Sequence, residues 1–283
     1  MPRDFTIYVV SPPGYRHVLA FAEVANGLLQ ALGELGYRAT LTQDPAAIEG
    51  RALVLAPHLI PASHWRPPAD AILYNFEQAA DSSEWFTRAY LDLLRRHEVW
   101  DYSQANLEYL SSRGVTGQLV PVGYAPCLTR IQPAPEDIDV LAYGALSDRR
   151  IAILDALRAR GAKVRRLFDV YGEKRDRYIA RARIVLNIHT YEARLFEIVR
   201  VSYLLANSRC VVSEEGTDAS LEAPYREAVT FAPYEQLVDT TLALLADPAA
   251  CTRRAAAGFE IFQGRAQRDF LREVLGARRQ ESQ

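Results

Sequence analysis

The sequence predicts an α/β protein of two Rossmann-like domains facing a cleft, on three observations. The chain has 283 residues, 49% of them apolar and 24% charged, which is enough for two compact domains of ordinary size. Short apolar runs of strand character alternate with segments of helical periodicity through both halves, the pattern of βαβ units on parallel sheets. Between the halves, residues 121–135 are proline-rich and aperiodic, as a linker is. We therefore expect one domain over residues 1–125, a linker over 126–137 and a second domain over 138–283, whose last helix is a candidate to pack back on the first domain.

In the first half, residues 5–10 read as a strand and 11–15, with Pro12, Pro13 and Gly14, as a loop. Val18, Phe21, Ala25, Leu28, Leu32 and Leu35 recur at helical spacing and predict a helix over 17–35 that Gly36 closes. Apolar runs at 38–42, 52–56 and 71–74 predict strands. They are followed by a helix over 85–96, a strand over 98–102, a helix over 106–112 ended by Gly114, and a strand over 118–122. After the linker, 138–143 is a strand and Gly144 begins a turn. Ile151, Leu154 and Leu157 mark an amphipathic helix over 148–160 that Gly161 closes. A strand over 164–168, a polar helix over 173–182, a buried strand over 184–188 and a largely apolar helix over 193–206 follow. Strands over 210–213 and 229–231, helices over 234–245 and 248–275, and a frayed tail at 278–283 complete the expected order.

Composition narrows the function. The formal net charge of -2 gives no global attraction to nucleic acid or to an anionic membrane. Lys163 and Lys174 are the only lysines, so the positive charge is carried by arginine, whose fork suits bidentate phosphate binding. Cys127, Cys210 and Cys251 are far apart and odd in number, which supports neither a structural zinc nor a disulfide framework and fits a reducing cytoplasm. The N-terminus runs from Met1 through Arg3 and Asp4 into a short strand broken by Pro12. That is too short for a signal peptide or a membrane span, and a cytoplasmic, soluble protein is expected.

In open α/β sheets, ligands bind beyond the carboxyl ends of the strands, so the loops that follow each strand hold the candidate residues. In the first half these are His17, whose imidazole could take a proton from an acceptor hydroxyl, and two acids at strand ends among aromatics, Glu77 and Asp101. A solvated first-turn histidine, a helix cap or a simple acceptor contact are the competing roles. In the second half, Tyr143 and Gly144 end a strand. Ser147 stands where it can cap the next helix, and Arg149 and Arg150 add charge at a helix N-terminus, a natural place for a diphosphate. Residues 142–183 hold twelve basic and five acidic side chains, so this edge is expected to be locally positive; a solvated basic face is the alternative. Asn187 and His189 crowd the end of the strand over 184–188, in a run that reaches Glu192; a satisfied core histidine is the competing role of His189. Phe196, Glu197 and Arg200 follow, and Glu214 ends the next strand. Glu197 and Arg200 read either as an intrahelical pair or as a ribose-binding carboxylate beside a phosphate-binding arginine. Asp137 and Asp139 have the spacing of a metal-binding DxD but open a strand, at the edge away from the ligand, so no metal is expected there. No GxGxxG occurs, which disfavours a dinucleotide oxidoreductase.

Taken together, these segments resemble the GT-B glycosyltransferases, and within them the family that includes the spore-maturation protein CgeB and related group 1 transferases. The likeness is strongest from Asp139-Val140-Leu141-Ala142-Tyr143-Gly144, through Asn187-Ile188-His189, to Val211-Val212-Ser213-Glu214. It is also visible in the loop from Ser11 to His17 and in Val99-Trp100-Asp101-Tyr102-Ser103. The resemblance implies metal-independent transfer of a sugar from a nucleotide-sugar donor, bound by the second domain. The acceptor, a small molecule, glycan or protein, is held by the first. The nucleotide sugar is a substrate and no cofactor is implied. The family often carries Arg-x-x-Glu on the helix before the Val-Val strand. Here Arg200 matches the arginine, with Glu197 one turn before it; Tyr203 stands in the glutamate position, and Asn207-Ser208 replace a glycine. That departure keeps two other readings open: a nucleotide-sugar-binding subunit without catalysis, and an epimerase on the same fold.

Overall fold

The structure is a computed structural model that describes residues 4–191 and 193–281, without the side chains of 277–281. Two compact units divide the chain. The first comprises residues 1–127 and 265–283, the second residues 128–264.

The first unit is built on strands β1 (Phe5–Val9), β2 (Ala39–Thr42), β3 (Arg51–Leu55), β4 (Ile72–Asn75), β5 (Glu98–Asp101) and β6 (Gly117–Leu119), all parallel in the order β2-β1-β3-β4-β5-β6. Every residue of β1, β3 and β4 is buried, because the sheet is covered on both faces; the edge strands β2 and β6 are partly exposed. Helix α1 (Ala22–Glu34) carries Val24, Leu28, Ala31 and Leu32 into the core. The chain reaches it through a 3-10 turn, Arg16–Phe21, rather than the single helix expected from residue 17. Val18 and Phe21 are the buried pair of that turn, and three residues per turn put both on one side. Helix α2 (Arg88–Leu94) starts three residues later than the sequence suggests, because the Thr87 side chain accepts from Tyr90 N and caps it there. Ser103 caps helix α3 (Gln104–Ser112) in the same way.

The second unit places β7 (Ile138–Tyr143), β8 (Val164–Leu167), β9 (Ala182–Asn187), β10 (Val211–Glu214) and β11 (Thr230–Ala232) in one parallel sheet, ordered β11-β10-β9-β7-β8. Its helices are α4 (Asp148–Ala159), α5 (Gly172–Ala180), α6 (Ile198–Ala206), α7 (Ala219–Glu222), α8 (Leu237–Leu245) and α9 (Pro248–Gln263). Val140, Leu154, Leu157, Ile184, Leu186 and Val212 form the centre of its core. The expected linker is not free chain. Asn207 at the end of α6 accepts from the N–H groups of Arg130 and Ile131 and donates to Leu128 O, while Thr129 donates to Ala206 O.

Two expectations fail for identifiable reasons. The apolar helix over 193–206 begins only at Ile198. Arg194 sits at φ 46°, which no helix accommodates, and the carbonyls of Ala193 and Arg194 accept from the Thr217 hydroxyl and Thr217 N instead. The long helix over 248–275 is two helices, α9 and α10 (Gln267–Glu281), parted at Arg265 and Ala266. There the backbone bonds Tyr124 twice, as Tyr124 N to Arg265 O and Gln267 N to Tyr124 O. Helix α10 then packs on α1, burying Leu271, Val274 and Leu275. It continues through most of the expected tail at 278–283, of which residues 282 and 283, like residues 1–3, lie outside the described chain.

Candidate functional site

In the second unit the chain leaves β7 toward β8 on one side and leaves β9 toward β10 on the other. β7 and β9 are neighbours, so the sheet has its topological switch point between them, where the loops part and leave a crevice beyond the strand ends. Gly144 follows β7 with φ 113°, a conformation open to glycine, and a Cβ there would lie 2.7 Å from Arg200 Nη2. The glycine therefore lets a guanidinium lie against the backbone. Ser147 caps α4 by accepting from Arg150 N. A shallow recess opens here, lined by Gly144, Arg150, Arg166, Leu167, Ile188 and Arg200 among others.

A charged cluster sits beneath this recess. Arg200, in the first turn of α6, donates through Nη1 to Asn187 Oδ1 at 2.7 Å. Asn187 has no exposed surface and donates through Nδ2 to Glu197 Oε2 at 2.7 Å and to Ser213 Oγ at 3.0 Å. Glu197 Oε2 also lies 3.1 Å from His189 Nδ1, and Glu197 Oε1 is 3.8 Å from Arg150. Burial alone would raise the Glu197 pKa, but the His189 hydrogen bond and charge, with Arg200 and Arg150, hold it at about 2. Burial likewise opposes a charge on His189, and the bond to Glu197 outweighs it and raises the imidazole above its ordinary value. The pair is ionic, at a site where the His189 side chain is 1% exposed and Glu197 14%. His189 Nε2 is buried without a hydrogen-bond partner.

The remaining candidates of this half fall into distinct places. Tyr143 ends β7 with the guanidiniums of Arg200 and Arg175 over its ring, at 5.5 and 5.9 Å. Arg149 stacks on Tyr234 at 4.1 Å and pairs with Glu214, which also accepts from His189 N at 3.0 Å. Arg150, expected on a phosphate, is buried. It spends its guanidinium on the carbonyls of Ile188 and Ala145, clamping the β7 and β9 loops together, and burial lowers its pKa to about 10. Phe196, expected at the ligand, is core: it has no exposure and packs on Phe231 and Tyr225. Tyr203 is buried, donating to Asp176 and accepting from Arg130. Glu192 lies outside the described residues. Asp137 pairs with Arg181 and Asp139 with Arg183, at the opposite edge of the sheet. Among the described residues, no group of three or more His, Cys, Asp or Glu is arranged to hold a metal ion.

In the first unit, His17 is exposed, in the 3-10 turn after β1, its ring edge-on to Tyr15 at 5.3 Å. Asp101 is fully buried at the end of β5. It accepts from Asn75 Nδ2 (2.7 Å), Ser103 N (2.9 Å) and Asn106 Nδ2 (3.0 Å), and burial raises its pKa to about 7 against those bonds. Expected as a base, it instead anchors a network. The same two amides donate to Glu77 O, at 2.9 and 3.0 Å, and Asn106 Oδ1 accepts from Ala79 N. The network thus fixes the loop that carries Glu77. Burial first, and then the charge of Glu84, raise Glu77 to about 7. Beside it stands a residue the sequence reading passed over. His58 Nε2 is 3.5 Å from Glu77 Oε1, and burial lowers its pKa to about 3. Its position directly after the apolar strand over 52–56 was the available signal.

No described helix is long and apolar enough to cross a membrane, and no protein-family model matches the chain. Among curated proteins it is similar to three of Acanthamoeba polyphaga mimivirus, uncharacterized proteins L140, L138 and L137. It is 29% identical over 170 residues to uncharacterized protein L140, covering 56% of this chain and 55% of that one. To uncharacterized protein L138 it is 33% identical over 107 residues, 37% of this chain and 12% of that one. The chain thus spans about half the length of the first relative and less of the second. Among solved structures, Anabaena HepE in complex with UDP and glucose superposes with TM-score 0.66 at 12% identity, over 97% of this chain and 99% of that one. Sucrose-phosphate synthase from Thermosynechococcus elongatus gives 0.62 at 13%, over 98% and 99%. AviGT4, a glycosyltransferase involved in avilamycin A biosynthesis, gives 0.61 at 17%, over 98% and 97%. With its two parallel sheets of six and five strands, the chain shares the fold of these structures, GT-B.

Proposed function

We propose that the chain is a glycosyltransferase that takes its sugar from a nucleoside-diphosphate sugar, a UDP-sugar first among them, bound at the switch point of the second unit. The observation that carries this is the approach of Arg200 to the Gly144 backbone, at the mouth of a recess that Arg166 also lines. Guanidiniums, exposed backbone N–H groups and the N-terminus of α4 are what a departing diphosphate needs, since charge that develops in the transition state is stabilised by fixed dipoles and cations. In this reading Arg200 holds the diphosphate and Arg150 keeps the loops in register. Glu197 is the carboxylate for the ribose hydroxyls, because its side chain is 14% exposed where that of Glu214 is 2%. The positive charge comes from side chains, so we expect transfer without a metal. The acceptor is assigned to the first unit, with His17 and Glu77 its candidate contacts. That HepE binds UDP and glucose within the same fold supports the choice of nucleotide.

The test is a thermal-shift panel of UDP, GDP, ADP, CDP and dTDP in EDTA, followed by a donor-hydrolysis assay with the matching sugar nucleotide. A ligand at 100 times its Kd adds about 2.7 kcal/mol to the stability of its site. We expect UDP to stand out and Arg200→Ala to abolish its shift. No shift with any nucleotide, or an undiminished shift in Arg200→Ala, overturns the assignment.

A further inference from the structure

The residues around Glu77 form a second constellation, on the first unit alone. Ala56, the residue after β3, stands at φ 55°, in the left-handed region that a side chain other than glycine occupies at a cost. That turn, followed by Pro57, delivers His58 to the end of the sheet. The His58 side chain is 2% exposed and that of Glu77 16%, so the carboxyl is the member of the pair that reaches the surface. The Trp85 ring lies 4.7 Å from the imidazole, and Tyr90 closes the other side at 6.5 Å. His58 Nδ1 and Trp85 Nε1 are both buried without a hydrogen-bond partner. An apolar core has no use for either atom, and each is costly to leave unsatisfied.

From this arrangement we propose that Glu77, His58 and Trp85 form a carbohydrate site on the carboxyl edge of the N-terminal sheet, with Glu77 accepting a hydroxyl of the sugar and His58 acting as its positioning residue. The chemistry selects the class of ligand. Glu77 and Glu84 repel each other, and a phosphate or carboxylate would add a third negative charge. A neutral polyhydroxylated ring offers donors to a carboxyl, an acceptor to an indole N–H and a C–H face to an aromatic ring. The Asp101, Asn75 and Asn106 network behind Glu77 supplies the rigidity such a contact requires, since it fixes the backbone on both sides of the carboxyl. This deepens the transferase reading by naming what the first unit holds, an acceptor hydroxyl, and it rests on that reading for the word acceptor only.

Saturation-transfer NMR on the full chain tests it. The probes are the methyl glycosides of glucose, galactose, mannose and N-acetylglucosamine. At least one is expected to bind, and Glu77→Gln to weaken it about tenfold or more, with the UDP thermal shift unchanged. Affinity should rise from pH 6 to pH 8 as the Glu77 carboxyl ionises, and that rise should vanish in Glu77→Gln. The other titratable groups facing it are His58, Glu84, Tyr90 and Asp101, all retained in that variant. His58→Asn should displace the pH profile, which a merely space-filling histidine would not do. If no glycoside binds the wild type, or if Glu77→Gln binds as tightly across the pH range, the proposal is wrong. Glycoside binding without any UDP shift would overturn the nucleotide assignment and leave this site standing.

Discussion

Replacing Glu197 with glutamine tests the charged cluster most directly. The carboxyl is held at about 2 in the folded chain, against an ordinary value of 4.5. At about 1.36 kcal/mol per pKa unit, the ionised form contributes on the order of 3 kcal/mol to the stability of the second unit. Because the folded value is depressed, that contribution is present above pH 4.5 and lost as the pH falls toward 2. His189 has the opposite sign: its raised pKa gives stability present below its ordinary 6.5 and lost once the pH passes the folded value. The two are therefore fully effective together between about pH 4.5 and 6.5. Glu197→Gln also leaves His189 buried beside a neutral amide and removes a counter-charge from Arg150. The assay is native-state hydrogen exchange by mass spectrometry, on peptides from β7, β9 and β10. At pH 6, amides that exchange by opening of the whole unit should exchange faster in the variant by about 100-fold or more, the same ~3 kcal/mol expressed as a rate ratio. The difference should shrink by more than half at pH 3, where a normal carboxyl in the unfolded chain is already protonated. Equal exchange at pH 6, or an undiminished difference at pH 3, would refute the ion-pair account.

Two further predictions concern single positions. Gly144→Ala places a Cβ at 2.7 Å from Arg200 Nη2 on a backbone at φ 113°. It should cost about 1 kcal/mol or more in stability and about tenfold in UDP affinity, read by thermal melting and calorimetric titration; unaltered affinity would detach Arg200 from the nucleotide. Burial raises Asp101 from 3.8 to about 7, so the first unit should lose up to about 4 kcal/mol of stability as the pH rises from 4 to 7.5. Trp65, Trp85 and Trp100 are the only tryptophans and all lie in that unit, so urea unfolding followed by their fluorescence reads it selectively. Asp101→Asn should reduce the slope to the part that the raised Glu77 carboxyl contributes over the same range, and an unchanged slope would mean that the Asp101 carboxyl stays ionised throughout.

How far the sequence could be read depended on whether neighbours in the chain or neighbours in space decide the outcome. β7 falls where its apolar run and the following Gly144 put it, and the buried strands β1 and β3 are legible because strands covered on both faces are written as unbroken apolar runs. The strand-end rule also brought Gly144, Asn187, His189, Glu197 and Arg200 to one edge of one sheet. What failed was tertiary. Arg150 looks like a phosphate ligand until two carbonyls from separate loops are found to occupy it. The start of α6 depends on Thr217, more than twenty residues downstream, drawing the carbonyls of Ala193 and Arg194 out of helical pairing. Asp101 has the sequence surroundings of a catalytic acid, and only the convergence of Asn75 and Asn106 on it reveals an anchor.

The discontinuity of the first unit has a consequence for how the chain is made. Helix α10 covers α1, yet the 137 residues of 128–264 separate it from the rest of its unit. At roughly 5–20 residues per second, that stretch takes on the order of ten seconds to synthesise. Throughout it the α1 surface that meets Leu271, Val274 and Leu275 stays uncovered. The second unit, drawn from one uninterrupted stretch, has all its strands before α10 is translated. The half that begins first is thus the half completed last, and a nascent chain stopped near Gly264 would carry a finished five-stranded sheet and an N-terminal unit still lacking its final helix.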